Sequence, residues 1–330
     1  MNVLGVDLGG TKVAVATLHE RSLSQSELAS TELSSSEALV SQLCSLVARH
    51  GSEDLDGVGI GVPSIVEFDT GRVVSSVNVP LRDVKLRNVL RERVGVPVFV
   101  DNDATVAALA EAHDEHLNLV ARDLVMITVG TGVGGGIVIG GRIYRGATGG
   151  AGEFGHTIVG LDLAGSVPAP PKHFPEPGSL EFVASGNTLD RLAREAAELH
   201  SESALGQLRA RGKAALGPDA VAAARAGDPM AQRIVETWGE RLGIGIANAI
   251  NTFDPEEVVI GGGAAQAGEL LLEPARRIAL GYVVPGLGKR TTVRLARHGL
   301  QAGVLGAALL AVHELEHASL QTRTMSEVSS

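Results

Sequence analysis

Two strand, glycine-turn, strand segments at comparable places in the two halves of the chain constrain its fold more than any other feature. In the first, the apolar residues 3–6 run into Asp7-Leu8-Gly9-Gly10-Thr11-Lys12 and leave as a second strand over 13–16. In the other, residues 124–129 run into Gly130-Thr131-Gly132-Val133-Gly134-Gly135-Gly136 and leave as a strand over 137–139. Neither turn has the spacing of a Walker loop, and neither opens a helix as a dinucleotide-binding fingerprint does. A glycine hairpin lets backbone amides crowd around phosphate oxygens, because no Cβ obstructs the approach. Either turn alone reads equally well as an ordinary tight turn. Their repetition points to an internal structural duplication, with two halves facing each other across a cleft.

The rest of the chain fits that plan. At 330 residues it is long enough for two domains. Strand patterns over 57–61 and 98–101 alternate with helical patterns over 36–50 and 104–113, which makes the class α/β. Residues 190–226 carry helical spacing punctuated by Gly and Pro, a long helix follows over 229–251, and a strand over 257–260 enters Gly261-Gly262-Gly263. A last helix is expected over 302–313 and a frayed polar tail over 319–330. The expected division is an N-terminal domain of residues 1–118 plus 303–318, and a C-terminal domain of 119–302 with a helical insertion over 186–252. Hinges are expected near 111–120 and 299–304.

A formal net charge of -10 argues against nucleic acid or an anionic membrane surface as partner, since both select basic proteins. The lone cysteine, Cys44, lies in an amphipathic stretch and reads as core; one thiol makes neither an intrachain disulfide nor a cysteine-based zinc cage. No basic leader precedes the first strand and no apolar run is long enough to cross a bilayer, so the chain is expected in the cytoplasm.

The chemistry suggested by the turns is phosphate handling. Asp7, at the end of a strand beside its turn, is placed to hold Mg2+ through water, and Thr11 and Lys12 add a hydroxyl and a cation. Gly9 and Gly10, Gly130, Thr131, Gly132 and Gly134 are the candidate phosphate contacts. Gly261, Gly262 and Gly263, ahead of Ala264, let an adenine ring lie flat against the backbone. Asp103 follows a strand at the mouth of a helix, where a carboxylate is favoured in its ionised form. By spacing alone Asn102 and Asp103 read first as helix caps. Likewise, by spacing Glu153 reads as a surface acid and His156 as the start of a strand.

The motifs together resemble the ROK sugar kinases. The resemblance runs from residue 2 to about 311 and rests on DLGGTK at 7–12, DNDA at 101–104, GTGVGGG at 130–136 and GEFGH at 152–156. The first and third are shared with the wider actin-like ATPases; the second and fourth are much more specific. The resemblance implies a two-domain actin-like ATPase (ribonuclease H-like) fold and an ATP- and Mg2+-dependent hexose kinase. Glucose is the first expected substrate, ahead of N-acetylmannosamine, N-acetylglucosamine and fructose. It makes Asp103 the base that receives the sugar hydroxyl proton and Asn102, Glu153, His156 and Glu181 sugar ligands, with Ser64 and Asn78 as weaker candidates. It also implies a homo-oligomer, dimer or tetramer.

One stretch departs from the family. Many members carry three cysteines between the positions of His156 and Glu181 that bind a structural zinc, and here there are none. No zinc is therefore expected; His156, His173 and Glu176 would make only a poorer site. The proline-rich run at 167–177 is expected to stiffen the loop instead. Two other classes stay in view: a sugar-responsive regulator, which the same family contains, and an actin-like ATPase without sugar.

Overall fold

The computed structural model describes residues 1–51, 54–76, 78–162, 169 and 172–328. In chain order the elements are β1 (Asn2–Leu8), β2 (Lys12–His19), β3 (Ser22–Leu23), β4 (Glu27–Ser30), α1 (Ser36–His50), β5 (Gly57–Val62), β6 (Ser64–Glu67), β7 (Arg72–Ser76), β8 (Arg82–Val84), α2 (Leu86–Val94), β9 (Val98–Asn102) and α3 (Asp103–Glu111). Then follow β10 (Leu124–Val129), β11 (Val133–Ile139), β12 (Arg142–Ile143), α4 (Leu180–Ala184), α5 (Gly186–Leu199), α6 (Ala204–Ala210), α7 (Gly217–Arg225), α8 (Pro229–Phe253), β13 (Glu257–Gly261), α9 (Glu269–Tyr282), β14 (Thr292–Leu295) and α10 (Ala302–Val328).

The chain groups into two compact units. One holds Met1–Arg122, Gly136–Gly152 and the C-terminal segment from Arg297; the other holds Asp123–Gly135 and Glu153–Ala296. This division differs from the boundaries drawn on the sequence chiefly in giving residues 136–152 to the first unit.

In the first unit a six-stranded sheet has the order β3-β2-β1-β5-β9, with β4 also on β2. β1 and β2 form the expected antiparallel hairpin, and β5 and β9 extend it in parallel. The sequence of β5, Gly-Val-Gly-Ile-Gly-Val, explains how both faces are filled. Its period of two turns Val58, Ile60 and Val62 into an apolar core with Leu4, Leu39 and Leu43, while the glycines face the other way. There α10 lies directly on the strand, because a Cβ on Gly59 would overlap the Ala307 carbonyl. Cys44 is partly buried against the core. Glu111 is fully buried, and its carboxylate accepts the backbone N–H groups of Arg297 and His298, each at 2.9 Å.

In the second unit β10, β13 and β14 are parallel neighbours. α8 and α9 cross closely over Gly239 and Gly243, where a Cβ would come 2.6 Å from the Leu271 and Ala275 carbonyls. The single tryptophan, Trp238, is buried and donates its indole N–H to the Ala184 carbonyl at 2.7 Å.

Three details differ from the sequence reading. The second glycine turn is shorter, because the strand begins at Val133 and not at Ile137. Gly134 and Gly136 are therefore strand residues, and Gly136 is needed because a Cβ would meet the Ala104 carbonyl of α3. α10 continues through Val328, past His313 and into the segment expected to fray; the Ser319 and Thr322 hydroxyls bond back to the Leu315 and Ala318 carbonyls along the helix. The segment 154–156 is a 3₁₀ turn, not a strand.

Candidate active site

The carboxyl end of the first unit's parallel strands carries the candidate catalytic residues, which is where open α/β sheets place ligands. Strand register puts Asp7 beside Gly61, and Gly61 beside Asp101. Asn102 ends β9 and caps α3: its side-chain oxygen accepts the Thr105 N–H at 3.0 Å, and its amide donates to the Ser64 carbonyl at 3.4 Å. The capping role therefore falls to Asn102 and not to Asp103. Asp103 is the first residue of α3, with its carboxylate accepting the Ala104 N–H at 2.7 Å. Ser64 is buried, and its Oγ has no hydrogen-bond partner among the described residues.

Asp7 is partly buried against Gly303, where a Cβ would overlap its carboxylate. Its carboxyl is pushed up to about 6, by burial first and then by the negative charge of Asp103. Two carboxylates that repel each other fit a cation placed near them. No cluster of three or more metal-ligating side chains occurs among the described residues. Mg2+ suits that condition, since it keeps most of its waters and takes one or two carboxylates plus substrate phosphates.

The first glycine turn is closed by Gly9 N–H donating to the Lys12 carbonyl at 2.9 Å and is braced by Thr31, whose hydroxyl donates to the Gly9 carbonyl at 2.8 Å. Thr11 and Lys12 are exposed. Asn78, read from sequence as a sugar-side residue, packs against this turn: a Cβ on Gly10 would lie 3.1 Å from the Asn78 Cβ.

In the second unit Gly130 N–H donates to the Gly132 carbonyl at 2.9 Å, and Gly186 N–H donates to the Gly130 carbonyl at 2.7 Å. Beside Gly130 and Thr131 opens a cavity of about 560 Å³, walled by Gly186, Asn187, Gly217, Pro218, Ala222, Arg225, Gly263 and Ala264, with Trp238 behind. That volume and a largely apolar wall suit a nucleoside. Of the third glycine run, Gly263 lines the cavity; Gly261 ends β13 and Gly262 makes the bend at φ 77°. The walls from α5 and α7 were not identified in the sequence, where Gly217-Pro218 read only as punctuation. Asp190 fixes one of them by accepting the Gly217 N–H at 2.6 Å.

Glu153 precedes the 3₁₀ turn and His156 ends it, with the His156 ring 3.8 Å from the Glu153 carboxylate and edge-on to Phe174 at 5.2 Å between centroids. Glu181 is delivered to the same region by a short ladder: Val159 N–H donates to the Gly178 carbonyl at 2.8 Å and Leu180 N–H to the Thr157 carbonyl at 2.9 Å. Its carboxylate accepts the Val133 N–H at 2.7 Å, so it bears on the glycine turn as well. The prolines expected to brace this loop at 168, 170 and 171 lie outside the described residues.

A sequence model of the ROK family matches residues 3–314. The chain is 36% identical over 315 residues to a glucokinase of Halalkalibacterium halodurans, covering 93% of this chain and 94% of that one. Among solved structures it is similar to a ROK family glucokinase from Streptomyces griseus in complex with glucose and AMPPNP, at 33% identity and a TM-score of 0.76, covering 95% of this chain and 100% of that chain. It is also similar to a ROK hexokinase from Thermus thermophilus, at 33% identity and a TM-score of 0.75, covering 96% of this chain and 100% of that chain. With these matches over nearly its whole length, the chain belongs to the ROK family and has the actin-like ATPase fold of that family's sugar kinases.

Proposed function

We propose that the protein is a glucokinase, transferring the terminal phosphoryl group of ATP to the 6-hydroxyl of glucose. The observation that carries this reading is Asn102 and Asp103 at the carboxyl end of a parallel strand, with the cap supplied by Asn102 and Asp103 next to it as a second carboxylate near Asp7. The 36% identity to a glucokinase supports glucose as the acceptor.

The chemistry asks for in-line positioning and charge neutralisation more than for covalent help. The sugar oxygen attacks the terminal phosphorus, the bond to the bridging oxygen of ADP breaks, and Asp103 receives the hydroxyl proton. Asp7 would hold Mg2+ through water, and the ion would supply neutralising charge on the phosphates. Asn102, Glu153, His156 and Glu181 would orient the sugar, since adjacent hydroxyls that each donate and accept are best read by carboxylates and a fixed imidazole. The backbone of Gly9, Gly10 and Gly130 to Gly132 would hold the phosphates, with the base in the second unit's cavity. Ser64 would reach a sugar hydroxyl, while Asn78, Thr11 and Lys12 would serve the phosphate side.

No helix among the described residues is long and apolar enough to cross a membrane. A cytoplasmic enzyme acting as a dimer or tetramer completes the reading; light scattering on the purified chain tests the assembly. The main test is a panel of hexoses and amino sugars assayed with ATP and Mg2+. Glucose should give the highest kcat/KM, at least about tenfold above N-acetylmannosamine, N-acetylglucosamine and fructose, and ATP should not turn over without sugar. The lack of cysteines between His156 and Glu181 favours a second reading only in the choice of hexose, which the same panel decides.

A further inference from the structure

Arg145, which no sequence motif singles out, follows β12 and reaches a buried carboxylate next to the catalytic turn. Its Nε donates to Asp101 at 2.6 Å, and a second guanidinium nitrogen donates to Glu314 of α10 at 3.0 Å. Its flat face lies 3.5 Å from the centroid of the Phe68 ring. The guanidinium is thus held from three directions. Asp101 is 1% exposed, and its other oxygen accepts the backbone N–H of Asn102 at 2.9 Å. One carboxylate therefore links Arg145 to the residue that caps α3 and immediately precedes Asp103.

Stability alone is a weak reason for this arrangement. A buried ion pair is often replaced by apolar residues at no cost, whereas removing one partner strands a buried charge. What the pair adds is direction: the carboxylate fixes the Asn102 amide plane, and so the angle at which the next residue leaves the sheet. Arg145 also starts a loop closed by the Ala151 N–H donating to the Arg145 carbonyl at 3.1 Å, and that loop runs into Glu153.

We propose that Arg145 is a positioning residue which, through Asp101, holds the Asn102–Asp103 turn in the geometry that phosphoryl transfer needs. The proposal rests on the kinase reading above. A base displaced by about 1 Å costs on the order of 100-fold in rate, without any change in how the nucleotide is held.

The test compares wild type, Arg145→Met, Arg145→Lys, Asp101→Asn and the Arg145→Met/Asp101→Asn pair, reading steady-state kinetics, ADP binding by Trp238 fluorescence, and thermal melting. In Arg145→Met, kcat should fall at least about 30-fold while KM for ATP and ADP binding stay within about twofold. Arg145→Lys, which keeps a charge but not the planar fork, should lose more than about threefold in kcat but less than Arg145→Met. Because both residues act on one turn, the pair should be no more than about threefold slower than Arg145→Met. A kcat within about threefold of wild type in Arg145→Met or Arg145→Lys, with only the melting temperature lowered, overturns the proposal, as does a pair whose losses multiply. If Arg145→Met does not fold, Arg145→Lys and Asp101→Asn decide by the same kcat criterion. Wild type that never couples ATP to sugar overturns the kinase reading itself, a separate result from unaffected variants of an active enzyme.

Discussion

Glu181 accepts the backbone N–H of Val133 at 2.7 Å, across 48 positions of sequence, so a residue expected to hold sugar also closes the turn expected to hold phosphate. Gly132 accommodates that carboxylate because it has no side chain. Glu181→Ala should therefore weaken both substrates, with KM for glucose and for ATP each raised about 10- to 100-fold, as the loss of a charge-assisted hydrogen bond of about 1.5–3 kcal/mol implies. Binding of ADP followed through the single tryptophan, Trp238, separates the nucleotide part of the effect. A change confined to glucose KM would mean that the contact with the turn is incidental.

Asp103 is assigned proton acceptance, and removing a general base typically costs about 10²–10⁴ in rate. Asp103→Asn should lower kcat by that much and leave glucose and ADP binding within about threefold, since an amide preserves shape and loses only basicity. Turnover near the wild-type rate would remove Asp103 from the mechanism.

Asp7 gives a dependence on pH with opposite signs for stability and activity. Its folded pKa of about 6 lies above that of the unfolded chain, so the folded protein takes up this proton more readily. The stabilisation is complete below about pH 4 and is lost as pH rises through about 6. Without magnesium, the melting temperature of wild type relative to Asp7→Asn should decline over that window. Activity should rise through the same window, because an ionised carboxylate is what a hydrated cation needs, and Mg2+ should move the midpoint down. A melting difference that is flat with pH would mean that Asp7 does not titrate there.

Ser64 offers a test in which stability and function diverge. Its buried hydroxyl finds no partner among the described residues, an arrangement that costs desolvation without return. Ser64→Ala should raise the stability of the free protein by about 1 kcal/mol in denaturant unfolding. The same change should raise glucose KM about tenfold, the loss expected when a substrate hydroxyl no longer finds its partner. Loss of stability with unchanged KM would give Ser64 a purely structural role.

Gly59 tests the contact between β5 and α10. Adding a methyl group forces the Ala307 carbonyl away from the strand, so Gly59→Ala should destabilise the protein by about 1–3 kcal/mol, read from chemical unfolding. Gly95, at φ 75° with open space around its Cβ position, should cost only the strain of a left-handed alanine, about 1 kcal/mol.

Much of this molecule was legible because its signals are local. The hairpin of β1 and β2 follows from apolar strands around a glycine turn, and the position of Asn102 and Asp103 follows from a strand meeting a helix. Even so, sequence alone could not say which of the two caps α3. That depended on the side chain of Asn102 finding both Thr105 and the Ser64 carbonyl. Gly134 and Gly136 read as turn residues, and tertiary contact made them part of a strand, with α3 pressing against Gly136.

The remaining parts of the site are assembled by long-range contacts that leave no periodic trace. The wall of the cavity proposed for the nucleotide joins segments near 130, 186, 217 and 263. Arg145 meets Asp101 across 44 positions and Glu314 across 169. Chain composition and spacing determined the strands, the turns and the residue types available for chemistry, because those depend on backbone sterics within a few residues. Which carboxylate is paired, which is repelled and which hydroxyl has no partner were decided only by folding, because burial and charge proximity are properties of neighbours that sequence distance does not reveal.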